Sequence, residues 1–491
     1  MRKPDIRTGP RHPRIAAAGY EITRRFSERA LAGRGLHKVN GEFAQATIAS
    51  IRERLQRGET VYIAGLACPG THNTGVALVE VTQKDGPRLI VNNEEERFSG
   101  NKHTNEFPQY ALEDMRKVLQ RMGRDIGDIA AFVTTWDYPA LLSMLIRTSL
   151  EEAPASIKLL RAPIAPAINL RQMDQVRRIS RRLGRMYGLG EQLPLICMPH
   201  HDNHAWYSFT ASPFADLRER VAIAVLDGTG DLGSISLYVA ENGEMEQLYC
   251  NESLFDSLGA FYTVISSSQG GWTWLSSEGR YMGAAAWGDM NRATNPYYQR
   301  LKDVLQLGPD GSVQLNRAMA NWYADPADNP YKQPLIDILG PPLRPDQLWN
   351  PDAVLRVEDI NHRPDTKDRV DKAAATQLVF EDAMIHVIDH LLRITGTDRL
   401  VLTGGVALNA LGNMRLLEHF DEAWFDARSS ARRGCTCGSH RCPAIPACRS
   451  APHGCLRIWR ERRAARRCRM RSIAACRPRT PTSPRRSTPT T

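Results

Sequence analysis

Cysteine is scarce through most of this sequence. Residues 1–429 hold only Cys68, Cys197 and Cys250, too few for a disulfide framework and in keeping with a reducing compartment. No run of eighteen apolar residues occurs, which excludes a membrane-spanning helix. The basic N-terminus, Met1 to Arg14, lacks the apolar stretch of a secretory signal, so a cytoplasmic location is expected. Excess positive charge is also missing from the body. The whole chain carries a net charge of +10, yet residues 430–491 contain 16 Arg, no Lys and one Glu. That leaves 48 basic against 53 acidic groups in residues 1–429. Neither nucleic acid nor a membrane is an expected partner of such a body.

Residues 430–491 differ from the rest in kind. They hold seven of the ten cysteines and almost no hydrophobic periodicity. A zinc cluster of Cys435, Cys437, His440 and Cys442 is one reading, and an anion-binding basic tail is another. A third is GC-rich DNA read out of frame. Back-translating residues 434–453 and shifting the frame, with G or C at each free base, allows L-H-V-W-V-P-P-V-P-G-D-P-G-V-P-V-G-A-A. That is an alternating strand, a turn and a small-residue helix start. The expectation is an out-of-frame, disordered tail from residue 430.

The body begins with a basic extension, residues 1–59, read as helical segments such as 44–55 packing on the surface. An internal repeat follows. Val61–Ala67 is an apolar strand, 74–81 a second, Asp85-Gly86 a hairpin turn and 88–93 a third strand. Val221–Leu226, 233–240, Asn242-Gly243 and 246–250 repeat the plan. Asp-Gly and Asn-Gly supply the positive φ angles of tight hairpins. Helical patterns cover 109–122, 139–152, 170–189 and 371–395. These elements predict an α/β fold of duplicated actin-like, ribonuclease H-like lobes with helical insertions in residues 60–429.

Chemistry-bearing residues gather in a few places. His200 and His204, four apart in His200-His201-Asp202-Asn203-His204, share a face if helical and can hold one cation. Asp227 ends an apolar strand and opens Asp227-Gly228-Thr229-Gly230-Asp231, where free N–H groups can meet phosphate and the carboxylate a metal. His200, His204 and Asp227 form a three-ligand set suited to iron(II) or another first-row divalent ion. Gly404 and Gly405 end the strand of 400–409 and allow close approach of a ligand, or simply close strand–helix packing. Arg97, Lys102 and His103 lie in the charged stretch 93–108, either a solvated loop or a cradle for phosphate or carbamoyl oxygens. The glycine-punctuated 277–284 enters a helix.

In this order the motifs resemble the NodU/CmcH family of O-carbamoyltransferases. The likeness rests on His72-Asn73, Glu94-Glu95-Glu96-Arg97-Phe98-Ser99, Lys102-His103, His200-His201-x-x-His204-Ala205, Asp227-Gly228, Ser257-Leu258-Gly259, Glu278-Gly279-Arg280 and Gly404-Gly405-Val406-Ala407-Leu408-Asn409. The resemblance implies a TsaD-like carbamoyl-transfer domain that moves a carbamoyl group onto a hydroxyl of a sugar, antibiotic or Nod-factor-like metabolite. The donor is carbamoyl-adenylate, made from carbamoyl phosphate and ATP by a C-terminal YrdC-like domain. His200, His204 and Asp227 are then the ligands of a divalent metal, iron(II) by the family pattern. His72, Lys102 and Arg97 would order the donor, and Gly228, Gly230, Gly404, Gly405 and Asn409 would border its nucleotide. The family's further Asp ligand sits in a Pro-Pro-x-x-Gly-Asp-x-Gly segment, which only the shifted frame restores. As written, the sequence has neither that ligand nor the YrdC-like domain, so it is not expected to turn over ATP and carbamoyl phosphate unaided.

Two other readings compete. A kinase or ATPase of the same actin-like superfamily would use carboxylates and magnesium, against which the histidine pair argues. A nucleic-acid binder rests on the tail alone. Acceptor identity and homo-oligomer formation are not legible.

Overall fold

The computed structural model describes residues 5–68, 72–160, 170–190, 192–215, 218–326, 329–343 and 356–433. Nearly all of the expected tail, with its cysteines and His440, lies outside them. The chain divides into two compact units, residues 1–418 and 419–491. In the second, helix Glu422–Arg433 is described, with Phe420 and Trp424 edge to face at 4.9 Å.

The first unit is mixed α/β. Among the described residues its strands are β1 (Leu36–Lys38), β2 (Val61–Ala67), β3 (Gly75–Thr82), β4 (Gly86–Glu94), β5 (Ile129–Thr134), β6 (Leu195–Cys197), β7 (Val221–Leu226), β8 (Ile235–Glu241), β9 (Glu244–Cys250), β10 (Leu305–Leu307), β11 (Val313–Leu315) and β12 (Leu400–Thr403). One sheet has the order β1-β6-β5-β2-β3-β4, another β12-β7-β8-β9, and β10 and β11 pair by themselves. Both larger sheets contain an antiparallel meander, β2-β3-β4 or β7-β8-β9. In each, a parallel strand lies beside the first strand of the meander, β5 in one and β12 in the other.

The hairpins close as their residues dictate: Asn242 and Gly243 have φ of 56° and 81°, and Gly86 has φ of 69°. The six residues of β7 are all buried, as an unbroken apolar run requires. Val221, Ile223 and Val225 pack on Ala205 and Phe209 of helix His200–Thr210. Helix Pro364–Thr395 also packs on β7.

The first sheet buries Leu66, Leu78 and Leu195 with Leu112, Met115, Tyr138 and Leu141 of helices Gln109–Arg121 and Tyr138–Glu151. A separate cluster of Ala44, Ala131 and Ile196 joins helix Glu42–Gln56 to this sheet. The expected helix over 170–189 is two, Leu170–Val176 and Ile179–Tyr187. Met173, Val176 and Ile179 are all buried at spacings of three, which drifts off a 3.6 period. A tightened turn at Arg178, with its N–H to Gln175, restores their common face.

The N-terminal extension is more than a surface helix. β1 joins the first sheet parallel to β6, Leu36 opposite Leu195, and covers what would be an open edge. Helix Pro13–Ala32 packs on helix Tyr138–Glu151. Ahead of it, Arg7 reaches Glu152 (2.8 Å) and the Tyr323 hydroxyl (3.0 Å). The buried Arg317 meets Glu152 and Glu151, both at 3.1 Å. A three-residue strand such as β1 gives no usable periodicity, so this pairing was invisible in the sequence.

Candidate metal centre

β2, β5 and β6 run parallel, so the loops after them leave one edge of the first sheet. The loop after β5 carries Thr135, Trp136 and Asp137, and β6 leads through Pro199 into helix His200–Thr210. β7 and β12 are likewise parallel; Asp227 follows one and Gly404-Gly405 the other. The helix presents His200 and His204 on one face, ring centroids 4.7 Å apart. Asp227 Oδ2 lies 3.5 Å from His200 Nε2 and 3.1 Å from His204 Nε2. Among the described residues, these three form the group whose ligand atoms lie within 4.8 Å of one another.

Two of the three candidate ligands, His200 and Asp227, are held from behind. His200 Nδ1 is 3.0 Å from the Thr135 carbonyl, and its ring stacks on Trp136 at 3.8 Å and 5°. Asp227 Oδ1 accepts the backbone N–H of Gly228 (2.7 Å) and of Gly405 (3.1 Å). Ser257 Oγ donates to the carbonyls of Asp227 (3.1 Å) and Gly228 (2.8 Å) and accepts the N–H of Ala260, capping helix Leu258–Gly270. Burial pushes the Asp227 carboxyl up, but the His200 and His204 hydrogen bonds outweigh it and hold the group well below the usual carboxylate range.

The donor set fits a cation. A carbonyl only accepts, so His200 Nδ1 carries a hydrogen; Nε2 then holds either a second proton, donated to Asp227, or a lone pair free for a metal ion. In the lone-pair form, Nε2 would face the Asp227 carboxylate at 3.5 Å. Two acceptors in this position repel unless a proton or a metal ion lies between them. Ligand–metal distances of about 2.1 Å place neighbouring ligand atoms roughly 3.0–3.4 Å apart, close to the spacings found here. Side-chain exposure rises from 15% at Asp227 and 17% at His200 to 33% at His204, so the centre opens on the His204 side.

The other predicted residues are distributed unevenly. His72 and Lys102 are exposed on loops at the same edge of the first sheet. His72 Nδ1 meets Asn73 Oδ1 at 2.8 Å, and His103 Nδ1 meets the same oxygen at 3.1 Å. Arg97 is 74% exposed, 3.5 Å from Glu94. Gly228 borders open space, whereas a Cβ on Gly230 would strike His201 Nε2 at 2.6 Å. Gly404 has φ of 90° and packs against the Leu226 backbone, so its glycine serves close strand packing. Asn409 is buried, its amide paired reciprocally with Gln377 at 3.0 Å in both directions.

Several working residues carried no readable signal. Glu95, inside the charged run, is buried and caps helix Gln109–Arg121 through Tyr110 N (3.2 Å) and Ala111 N (2.8 Å). His201 is buried between the ligands, with Nδ1 2.7 Å from Ser236 Oγ, and burial lowers it to about 3. Asp231 accepts the backbone N–H of His200 and, at 2.9 Å, of Asp137. Burial raises Asp231 above the usual carboxylate range, and the N–H donors act against that push. Both its oxygens face backbone N–H donors.

A sequence model of the family described as "Carbamoyltransferase N-terminus" matches residues 63–429. The chain belongs to the carbamoyltransferase family. Among its relatives, an uncharacterized protein, sll1178, of Synechocystis is 27% identical over 361 residues, 72% of this chain and 52% of that protein. The nodulation protein NolNO of Sinorhizobium fredii is 25% identical over 356 residues, 70% and 44% of the two chains. NolO of Bradyrhizobium diazoefficiens is 27% identical over 246 residues, 49% and 37%. This carbamoyltransferase-family chain thus spans about half the length of the curated relatives it matches, or less. A crystal structure of full-length HypF in its phosphate- and nucleotide-bound form aligns with a TM-score of 0.33 and 14% identity, over 73% of this chain and 50% of that one.

Proposed function

We propose that this chain carries the acyl-transfer half of an O-carbamoyltransferase, in which His200, His204 and Asp227 hold a divalent metal, iron(II) by preference for a two-histidine, one-carboxylate set. The observation that carries the reading is a placement: His200 Nδ1 lies 3.0 Å from the Thr135 carbonyl while its Nε2 and that of His204 lie 3.5 and 3.1 Å from Asp227 Oδ2. The two sheets, each a meander with a parallel neighbour, correspond on this reading to duplicated actin-like lobes. Their facing loops would take a carbamoyl-adenylate, formed elsewhere from ATP and carbamoyl phosphate.

His200, His204 and Asp227 would hold an ion that could polarise the carbamoyl carbonyl and offset charge developing at the attacked carbon. The acceptor's hydroxyl oxygen forms the new C–O bond, the bond from the carbamoyl carbon to the phosphate oxygen breaks, and AMP leaves with the electron pair. The acceptor's proton is released. The N–H groups of Gly228 and Gly405 hold the Asp227 carboxylate in place. His72, Lys102 and Arg97 are the cationic or hydrogen-bonding groups proposed to orient the donor. The acceptor is a small-molecule hydroxyl; the relatives' nodulation names favour a sugar-containing signal metabolite.

The test supplies carbamoyl-adenylate directly to the iron-loaded chain with a panel of sugar and aminoglycoside acceptors, read by mass spectrometry. A product heavier by one carbamoyl group, absent with His204→Ala, supports the proposal. A phosphorylated product formed from ATP would favour the kinase reading instead.

A further inference from the structure

Asp227 supplies a ligand from the loop after β7, and four residues later the same loop supplies a second acid that touches neither histidine ring. Asp231 is 4% exposed. One oxygen takes the N–H of His200, the first residue of the ligand helix, and the other takes the N–H of Asp137, in the loop after β5. Helix His200–Thr210 has Pro199 at its N-cap, with no side-chain cap of its own. Its leading N–H would be an orphan at the positive end of the helix dipole without a carboxylate from elsewhere. Asp137 in turn caps helix Tyr138–Glu151 through Ala140 N (3.2 Å) and lies 3.6 Å from Lys38 of β1.

One loop therefore grips the helix twice, at the His200 backbone through Asp231 and at the imidazoles through Asp227. The intervening turn has little freedom. A Cβ at Gly230 would meet His201 Nε2 at 2.6 Å and the Gly233 carbonyl at 2.7 Å. Ser234 Oγ is bonded to the Ser253 and Asp256 carbonyls, both at 3.1 Å. The distance between the two carboxylates is thereby set by the loop, and with it the height of His200 over Asp227.

We propose that Asp231 is a positioning residue for the metal centre: it fixes the start of the ligand helix so that His200 Nε2 meets the cation held by Asp227. The inference rests on the metal-centre reading above. A carboxylate that merely stabilised the fold would cost stability when replaced but would leave metal affinity alone.

The experiment titrates the full chain with Mn(II), followed by EPR, counting only the binding component that is absent from His200→Ala/His204→Ala. Asp231→Asn, close in size but with an amide nitrogen facing one of the N–H groups, is compared with Asp202→Asn. Asp202 is on the same helix, but its carboxylate bonds the Tyr238 hydroxyl at 2.8 Å instead of a ligand's backbone N–H. The expectation is a loss of about 10–100-fold in affinity for Asp231→Asn, the usual size of an outer-contact effect, and less than about threefold for Asp202→Asn. Asp231→Ser, which keeps one small acceptor, replaces the asparagine variant if that one does not fold. Wild-type affinity in a folded Asp231 variant, or equal losses in both variants, overturns the proposal. If the wild-type chain itself has no histidine-dependent binding, the metal-centre reading has failed first.

Discussion

The backbone N–H of Gly405 donates to the Asp227 carboxylate at 3.1 Å, across 178 residues of sequence. That bond ties the turn after β12 to the ligand after β7 and gives the paired glycines separate duties. A Cβ at position 405 would lie 2.9 Å from Asp227 Oδ1. Gly405→Ala is expected to displace the carboxylate and weaken metal binding about 10–100-fold, measured by Mn(II) titration.

Gly404→Ala should act on folding instead. Its φ of 90° and its contact with the Leu226 backbone leave no room for a side chain. A loss of about 2–3 kcal/mol in urea unfolding is expected.

Much of the fold was written in apolar runs. β2 and β7 have the bounds that their apolar runs, VYIAGLA and VAIAVL, suggest, and Asn242-Gly243 turns as such a pair should. The pairing of His200 with His204 was legible because a spacing of four survives as a helix face. Asp231 and Glu95 were not, because a cap is defined by an N–H brought from another element, and no local pattern marks it. β1 was hidden for a related reason: a three-residue edge strand is made by its neighbour. The reciprocal pair of Gln377 and Asn409 joins positions 32 residues apart, a relation that no periodicity encodes.

Glu95 should prove structural despite its place in the charged run. Glu95→Ala leaves two N–H groups of helix Gln109–Arg121 without their acceptor, and should cost about 1–2 kcal/mol. Histidine-dependent metal affinity should stay unchanged, which the same titration and an unfolding curve together check.

Acid should destabilise the fold through His201. Burial lowers this imidazole to about 3, against roughly 6.5 in the unfolded chain. The unfolded state therefore binds the extra proton first. The stability of the neutral buried ring is fully present above about pH 6.5 and is lost as pH falls toward 3, by roughly 2 kcal/mol at pH 5. His201→Gln should flatten that part of the unfolding profile between pH 7 and 5; an unchanged slope would locate the acid sensitivity elsewhere.

Arg317 is 1% exposed and meets Glu151 and Glu152. Removing it takes from Glu151, which burial raises, its nearest cation and leaves Glu152 to Arg7 alone. Arg317→Ala should cost about 3–5 kcal/mol. Arg7→Ala, at a side chain 36% exposed, should cost no more than about 1 kcal/mol.

The most direct measurement is metal content and Fe K-edge absorption of the chain reconstituted anaerobically with Fe(II). Near-stoichiometric iron is predicted, with two imidazoles and a carboxylate oxygen in its coordination shell, and its loss in His200→Ala, His204→Ala and Asp227→Ala, all still folded. Iron retained by those variants, or a wild-type chain that holds none, would contradict the account.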